Sequence, residues 1–129
     1  MSTADTLGLR HTSNEDPMAT TLTPAELQIL LALSSEPRHG YGIKLDVESR
    51  THGSMKLGSG TLYEAIQRME KHGWLEVAKA PGKDPAESRR KYYRLTSSGR
   101  TRLQRDLESL QGIVADAIAM DVLPETKPA

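Results

Sequence analysis

The stretch SGTLYEAIQRMEKHGWLE, residues 59–76, combines one apolar helix face with a second face rich in hydrogen-bonding groups. The apolar residues recur at the helical spacing i, i+3, i+4, i+7 and are Leu62, Ala65, Ile66 and Met69. The opposite face carries Gly60, Tyr63, Glu64, Gln67 and Lys71. This pattern predicts a helix that packs along one side, stops at Gly73 and turns into a strand. Because Glu and Lys alone would suffice for a solvated face, the second face indicates a binding surface.

Two helices are predicted before this stretch. The first begins after Thr23, because Thr23 and Glu26 fit a capping box and Pro24 suits the first helical position. Its predicted buried stripe contains Leu27, Leu30 and Leu31, widened by Ile29 and Leu33. The second helix follows the sequence RHGYG and ends near Gly53, with an inward face made of Tyr41, Leu45 and either Ile43 or Val47.

Two strands and a long helix are predicted after it. The segments WLEVAK (74–79) and RRKYYRL (89–95) read as strands, joined by the polar loop APGKDPAES (80–88) into a hairpin with a basic tip. This order of elements predicts a mainly α-helical winged helix-turn-helix with a small β-hairpin. We expect the winged-helix domain to span 22–96 and a C-terminal dimerisation helix to span 97–120, flanked by a disordered tail (1–21) and a frayed end (121–129).

Charge is distributed unevenly although the formal net charge is zero. The span from Lys79 to Arg105 contains nine basic residues against only Asp84 and Glu87. A local basic block attracts an anionic partner better than the net charge suggests. A helix fits the width of the DNA major groove, so the polar face of 59–72 is predicted to read double-stranded DNA.

Three segments resemble the PadR family of prokaryotic transcriptional regulators. They are LLALSSEPRHGYGI (30–43), LGSGTLYEAIQRMEKHGWLE (57–76) and RRKYYRLTSSGRTRL (89–103), in the order and spacing of the family. The resemblance covers roughly 22–118. With its single terminal helix, the chain resembles the short subgroup of the family. It implies a homodimeric winged-helix repressor whose GTLY helix enters the major groove and whose wing touches the DNA backbone or minor groove.

The resemblance and the predicted elements together give the DNA-binding residues. The family motifs single out Tyr41, Thr61 and Tyr63. The predicted helix face and hairpin add Ser59, Gln67, Lys71, Lys83 and Arg89, and Arg90 is a further phosphate contact at the wing. Glu64 lies in the middle of the face, so it is either held off the DNA or accepts from a cytosine amino group.

The last helix carries a heptad seam. Its apolar residues step by 4, 3, 4 and 3, and they are Leu103, Leu107, Leu110, Val114 and Ala117. Packing on the first helix of the same protomer is the alternative, and both contacts are compatible. A helix this long extends past a core of under a hundred residues, so a homodimer is predicted.

Several classes of function are disfavoured. Cys is absent and no histidines pair at i, i+4, so no metal site is expected. No catalytic constellation and no cofactor motif is evident, so we expect no enzyme. No apolar run approaches a membrane span, and the expected location is the cytoplasm. Two alternatives to a DNA-binding repressor stay open: a winged helix that serves only as a protein-interaction module, and a dimer that binds a small-molecule effector as its main role.

Overall fold

A computed structural model describes residues 21–82 and 89–125. Within them the chain forms four helices and three short strands in the order α1 (Pro24–Ser35), β1 (Arg38–His39), α2 (Gly40–Arg50), α3 (Ser59–Lys71), β2 (Leu75–Ala78), β3 (Tyr92–Leu95) and α4 (Ser97–Ala119). The predicted mainly helical winged helix-turn-helix is therefore confirmed. None of the helices in these two ranges is long and apolar enough to cross a membrane.

The start of α1 is fixed by the predicted capping box. Thr23 Oγ1 accepts from the Glu26 N–H at 3.1 Å, and Glu26 Oε1 accepts from the Thr23 N–H at 2.9 Å. The second oxygen of Glu26 accepts from both Nε and Nη2 of Arg68, each at 2.9 Å. One carboxylate, only 6% exposed, thus caps α1 and holds the side of α3.

The sheet has three antiparallel strands in the order β1-β3-β2, so the predicted two-stranded hairpin was incomplete. The missing strand, β1, pairs Arg38 with Tyr93 and His39 with Tyr92. Two residues are too few to show an alternating pattern, and only the pairing with β3 reveals them as a strand. The consequence is that the start of α2 is attached to the wing.

The core lies between α1, α2 and α3 and the inner side of the sheet. On α2 the predicted inward residues were partly wrong: Ile43 and Val47 are fully buried, whereas Tyr41 is 57% and Leu45 is 47% exposed. Both pairs are four residues apart, so periodicity alone could not tell which stripe faces the core. On α1 the prediction for Leu31 was also wrong, because this side chain is 36% exposed.

The first two turns of α4 belong to the core of the same protomer. Arg102 is buried, places its guanidinium 4.9 Å from the centre of the Trp74 ring, and pairs with Asp106 at 3.1 Å. Leu103 is only 4% exposed. Leu103, predicted at the dimer interface, is thus already largely covered by its own protomer, because the helix starts directly against β3 and Trp74.

Candidate nucleic-acid interface

Helix α3 has one buried and one exposed face, as its sequence predicts. The four apolar residues Leu62, Ala65, Ile66 and Met69 are each at most 2% exposed. The opposite side exposes the side chains of Thr61, Tyr63, Glu64, Gln67 and Lys71. A helix that is packed against the core along one face and polar along the other can be inserted into the DNA major groove.

The two ends of α3 are built differently. At the start, the N-cap is Gly58, which makes no side-chain hydrogen bond, and Ser59, Gly60 and Thr61 are exposed to solvent. At the end, Gly73 adopts φ of 80°, and the Trp74 N–H donates to the Met69 carbonyl at 3.0 Å. A left-handed residue at this position suits glycine and turns the chain directly into β2.

Tyr41 and Tyr63, separate in sequence, line one cavity of about 240 Å³. Its remaining lining residues come from the end of β1, the start of α2 and the segment just before β3: His39, Gly40, Arg90 and Lys91. Tyr63 rests on Gly40, where an added Cβ would lie 2.2 Å from the phenol oxygen. Glycine at position 40 therefore gives Tyr63 its place beside the wing.

The predicted basic block is not one continuous surface. Arg94 is paired with Glu76 through Nε at 2.6 Å, Arg100 donates to the Ser34 carbonyl at 3.2 Å, and Arg102 is buried. Arg89, Arg90 and Lys91 are exposed just before β3. Lys83, predicted at the tip of the hairpin, lies outside the described residues. Three exposed cations of the block are thus consecutive at the wing, whereas Arg100 and Arg105 are exposed on α4.

Two side chains, Lys44 and Tyr93, have raised pKa values. The Glu48 carboxylate, 2.9 Å from Lys44 Nζ, raises the pKa of that lysine, so it stays cationic beside the ring of Tyr41 at 5.9 Å from the centroid. Burial raises the pKa of the Tyr93 phenol, which keeps it neutral in the core. Tyr93 is therefore a packing residue, although it neighbours the wing cations in sequence.

Sequence reasoning missed His39 and Gly40 as parts of this surface. His39 caps α2, because its Nδ1 accepts from the Gly42 N–H at 3.0 Å. A histidine directly before GYG could have suggested such a cap, but Ser, Thr, Asp and Asn are the usual N-cap residues. The closeness of His39 to the wing depends on β1, which was not predicted.

A second exposed surface lies on α4. Beyond its first two turns, α4 exposes Leu107 (38%), Leu110 (43%) and Val114 (44%), while Ala117 is half-buried. The apolar lining of a groove of about 610 Å³ is made of Leu31, Leu103, Leu107, Leu110 and Val114, and its polar lining of Arg100, Gln104, Glu108 and Gln111. An apolar stripe of this length on a helix is typical of a helix-pairing surface.

Solved structures with the same fold include PadR regulators. A PadR family transcription regulator from Clostridium difficile superposes with a TM-score of 0.63 at 23% identity, covering 78% of this chain and 100% of the other. A PadR-like transcriptional regulator from Bacillus cereus superposes with a TM-score of 0.61 at 24% identity, covering 78% and 92%. At these identities the two structures establish the similarity of fold.

Sequence comparison identifies the family. An uncharacterised protein X of Lysinibacillus sphaericus is 38% identical over 76 residues, which is 58% of this chain and 67% of that protein. The model of the transcriptional regulator PadR-like family matches residues 29–105, from the middle of α1 into α4. The match includes the cavity, the whole of α3 and the wing strands, and it covers more than half of the 129 residues. The chain therefore belongs to the PadR-like family of transcriptional regulators, and its role is DNA-binding regulation rather than catalysis.

Proposed function

We propose that this protein represses transcription by binding a roughly palindromic operator as a homodimer. The observation that carries the proposal is the packing of α3: one face is fully buried and the opposite face is polar, exposed and adjacent to the cations of the wing. A two-fold dimer would present two such helices to successive major grooves, which is why a palindromic operator is expected. A repressor of this kind acts where the chromosome lies, in the prokaryotic cytoplasm.

The residues of the interface divide into two groups in this proposal. Gln67 offers a donor and an acceptor side by side, which suits an adenine edge, and Thr61 and Tyr63 lie on the same face. Lys71 and Arg89, both exposed, bind phosphate, and Lys83 keeps that predicted role. Ser59 stands at the exposed start of α3, where helix N–H groups favour an anion. Tyr41, 57% exposed, contacts DNA beside the wing.

The proposed dimer uses α4. We propose that a second copy of this chain covers the groove lined by Leu31, Leu107, Leu110 and Val114, with Ala117 continuing the seam and Leu103 at its base. Two features support this occupant. The apolar residues follow a heptad step beyond the point where the protomer's own core ends. The polar rim carries Arg100 and Glu108, which have opposite charges and can pair across a two-fold axis. The proposed division is thus a winged-helix domain at 22–96 and a dimerisation helix at 97–120.

A salt titration with duplex DNA tests the function. A DNA-binding repressor is expected to lose affinity steeply with salt and to bind its operator more tightly than random duplex at every salt concentration. A protein-interaction module would bind DNA weakly and without sequence preference. A small-molecule effector that regulates binding would shift the operator affinity and leave the fold unchanged.

Gln67→Ala is expected to flatten the preference for the operator over mutated operators. A bidentate glutamine–adenine pair contributes about 1–3 kcal/mol of discrimination, and alanine removes it. Fluorescence anisotropy with operator and point-mutated duplexes measures the change. The contrasting variants are Lys71→Ala and Arg89→Ala, which should weaken all duplexes alike and reduce the salt slope by about one unit each. Full discrimination in Gln67→Ala would remove this side chain from base readout.

Gly40→Ala is expected to weaken DNA binding while the fold survives. The new Cβ would lie 2.2 Å from the Tyr63 hydroxyl, and this half-exposed ring can swing outward at little cost to stability. Circular dichroism melting and DNA anisotropy separate the two effects. Gly112→Ala is the matched control, because nothing lies within 4 Å of a Cβ at that position. An unchanged DNA affinity in Gly40→Ala would show that the position of the Tyr63 side chain against Gly40 does not matter for DNA binding.

A further inference from the structure

The exposed face of α3 carries an acidic side chain, Glu64, among the polar side chains of Thr61, Tyr63, Gln67 and Lys71. A carboxylate at a DNA-binding surface is repelled by the phosphates that flank the groove, so it lowers the affinity for duplex of any sequence. An acid in this place must therefore be neutralised by a neighbouring cation, be held off the DNA, or bind a group that compensates for the repulsion.

The helix offers Glu64 a single cation as a neighbour. A helical side chain meets those three and four residues away, which for position 64 are Gly60, Thr61, Gln67 and Arg68. Lys71 is a further turn away, about 10 Å along the helix axis from Glu64. Because an acid followed by a base at i, i+4 is the favourable order for an ion pair, Arg68 is the expected partner of Glu64.

Helix α1 draws Arg68 away from Glu64. Both Nε and Nη2 of Arg68 donate to Glu26 Oε2 at 2.9 Å. The buried Glu26 side chain is held in turn by the capping box, where its Oε1 accepts from the Thr23 N–H at 2.9 Å. Within residues 21–82 and 89–125, the Glu64 side chain makes no hydrogen bond and no ion pair. Its carboxylate oxygens are thus open to a ligand.

The base edges of the major groove differ in what they offer to such a carboxylate, which can only accept hydrogen bonds. Guanine and thymine present acceptors there, which repel it, and adenine places its N7 acceptor beside its amino group. Cytosine presents the N4 amino donor with no acceptor on the same base. Cytosine is therefore the base that an unpaired carboxylate on this face favours.

We propose that Glu64 reads a cytosine of the operator, and that the Glu26–Arg68 ion pair keeps its carboxylate available for that base. The proposal rests on the proposed DNA-binding function and deepens it by assigning one base pair of the operator. Gln67 lies about 4.5 Å further along the axis of α3, close to the spacing of about 3.4 Å between base pairs. The two side chains thus address neighbouring base pairs. Glu26 and Arg68 are positioning residues, because they act on the choice of base through Glu64.

Selection from a randomised duplex library tests the contact, because it gives the preferred site of the wild type and of each variant. The wild-type site should contain a recurrent C·G pair beside the A·T pair assigned to Gln67. Replacing this C·G pair by T·A should lower the affinity of the wild type roughly tenfold. Glu64→Ala should bind both duplexes equally and should bind random duplex more tightly than the wild type, because the repulsive charge is gone. Glu64→Gln should select adenine at this position.

A single N4-methylcytosine at the same position probes the hydrogen bond itself. The methyl group replaces the N–H that faces the major groove and leaves the other N–H for base pairing. The modified duplex should bind the wild type more weakly than the unmodified one, whereas Glu64→Ala should not distinguish them.

Glu26→Gln tests the positioning pair. Glutamine keeps the capping box, but the oxygen that binds Arg68 becomes an amide nitrogen, which cannot accept. The half-exposed Arg68 side chain can then turn to Glu64. The preference for cytosine should fall severalfold, and adding Arg68→Ala should restore it, because no cation is left to cover the carboxylate. Melting curves verify that the variants fold.

Asp116→Asn is the control for charge, because it removes an exposed acid from α4 and should leave the base preference unchanged. If Glu64→Ala keeps the cytosine preference of the wild type, the assignment of Glu64 is wrong while the proposed function stands. The same holds if Glu64→Ala binds the selected site and random duplex more tightly by the same factor, since the acid then only repels phosphate. A folded Glu26→Gln protein with full cytosine preference would overturn the role of the ion pair. If the wild type selects no sequence, the proposed function fails, and the assignment of Glu64 fails with it.

Discussion

Replacing Leu107 and Leu110 together by aspartate is expected to convert the proposed dimer into monomer. Both side chains are about two-fifths exposed in a single protomer, at 38% and 43%, so the protomer itself does not need them apolar. In a paired seam the two substitutions would bury four like charges per dimer, at a cost on the order of several kcal/mol. Sedimentation velocity measures the change in mass, and DNA affinity should fall with it because two half-sites are no longer linked.

Thr101→Asp with Ser109→Asp is the matched control. Both residues are exposed on α4 and neither lines the groove, so the same two charges are added to the same helix. This variant should sediment like the wild type. A Leu107→Asp, Leu110→Asp protein that remains a stable dimer would place the interface on another surface.

Gly99→Ala is expected to destabilise the protein strongly. A Cβ at position 99 would lie 1.9 Å from the Trp74 carbonyl oxygen and 2.7 Å from its carbon, and both atoms belong to the backbone. The first turn of α4 must then move off β2 and β3, which we expect to cost about 3 kcal/mol or more, at the upper end for overpacking. Urea denaturation followed by circular dichroism measures the free energy of unfolding.

Gly112→Ala separates packing from helix propensity. Both glycines are in α4, and alanine favours a helix over glycine by about 1 kcal/mol, so Gly112→Ala should be neutral or stabilising. A Gly99→Ala protein as stable as the wild type would mean that α4 can shift on Trp74 without loss. In that case the attachment of α4 to the end of α3 would be loose rather than fixed.

This attachment bears on DNA recognition. Trp74 comes three residues after the end of α3, and its ring is covered by Arg102. The partner of Arg102, Asp106, also accepts from the Leu22 N–H at 3.1 Å. The base of α4 is thereby tied both to the end of α3 and to the residues before α1. In the proposed dimer, the separation of the two α3 helices follows from how α4 pairs, so this rigid base would set the spacing of the operator half-sites.

The sequence by itself determined the elements that have strong local signals. The i, i+3, i+4, i+7 pattern of α3 named its buried residues correctly, because one helix face that must be apolar leaves a clear periodic mark. The capping box at Thr23 and Glu26 was correct because it depends only on residues three apart. The family motifs occur in the order typical of the family, and they predicted the winged-helix fold and the regulatory role.

Tertiary structure alone decided the features that depend on residues far apart in the chain. Strand β1 exists only because β3 offers it hydrogen-bonding partners, and without it the approach of His39 to Arg90 could not be foreseen. The inward stripe of α2 was decided by packing, since two stripes of equal spacing competed. The burial of Arg102 and Leu103 followed from the docking of α4 on Trp74. Periodicity reports which residues share a face, but the neighbour that covers the face is set by long-range contacts.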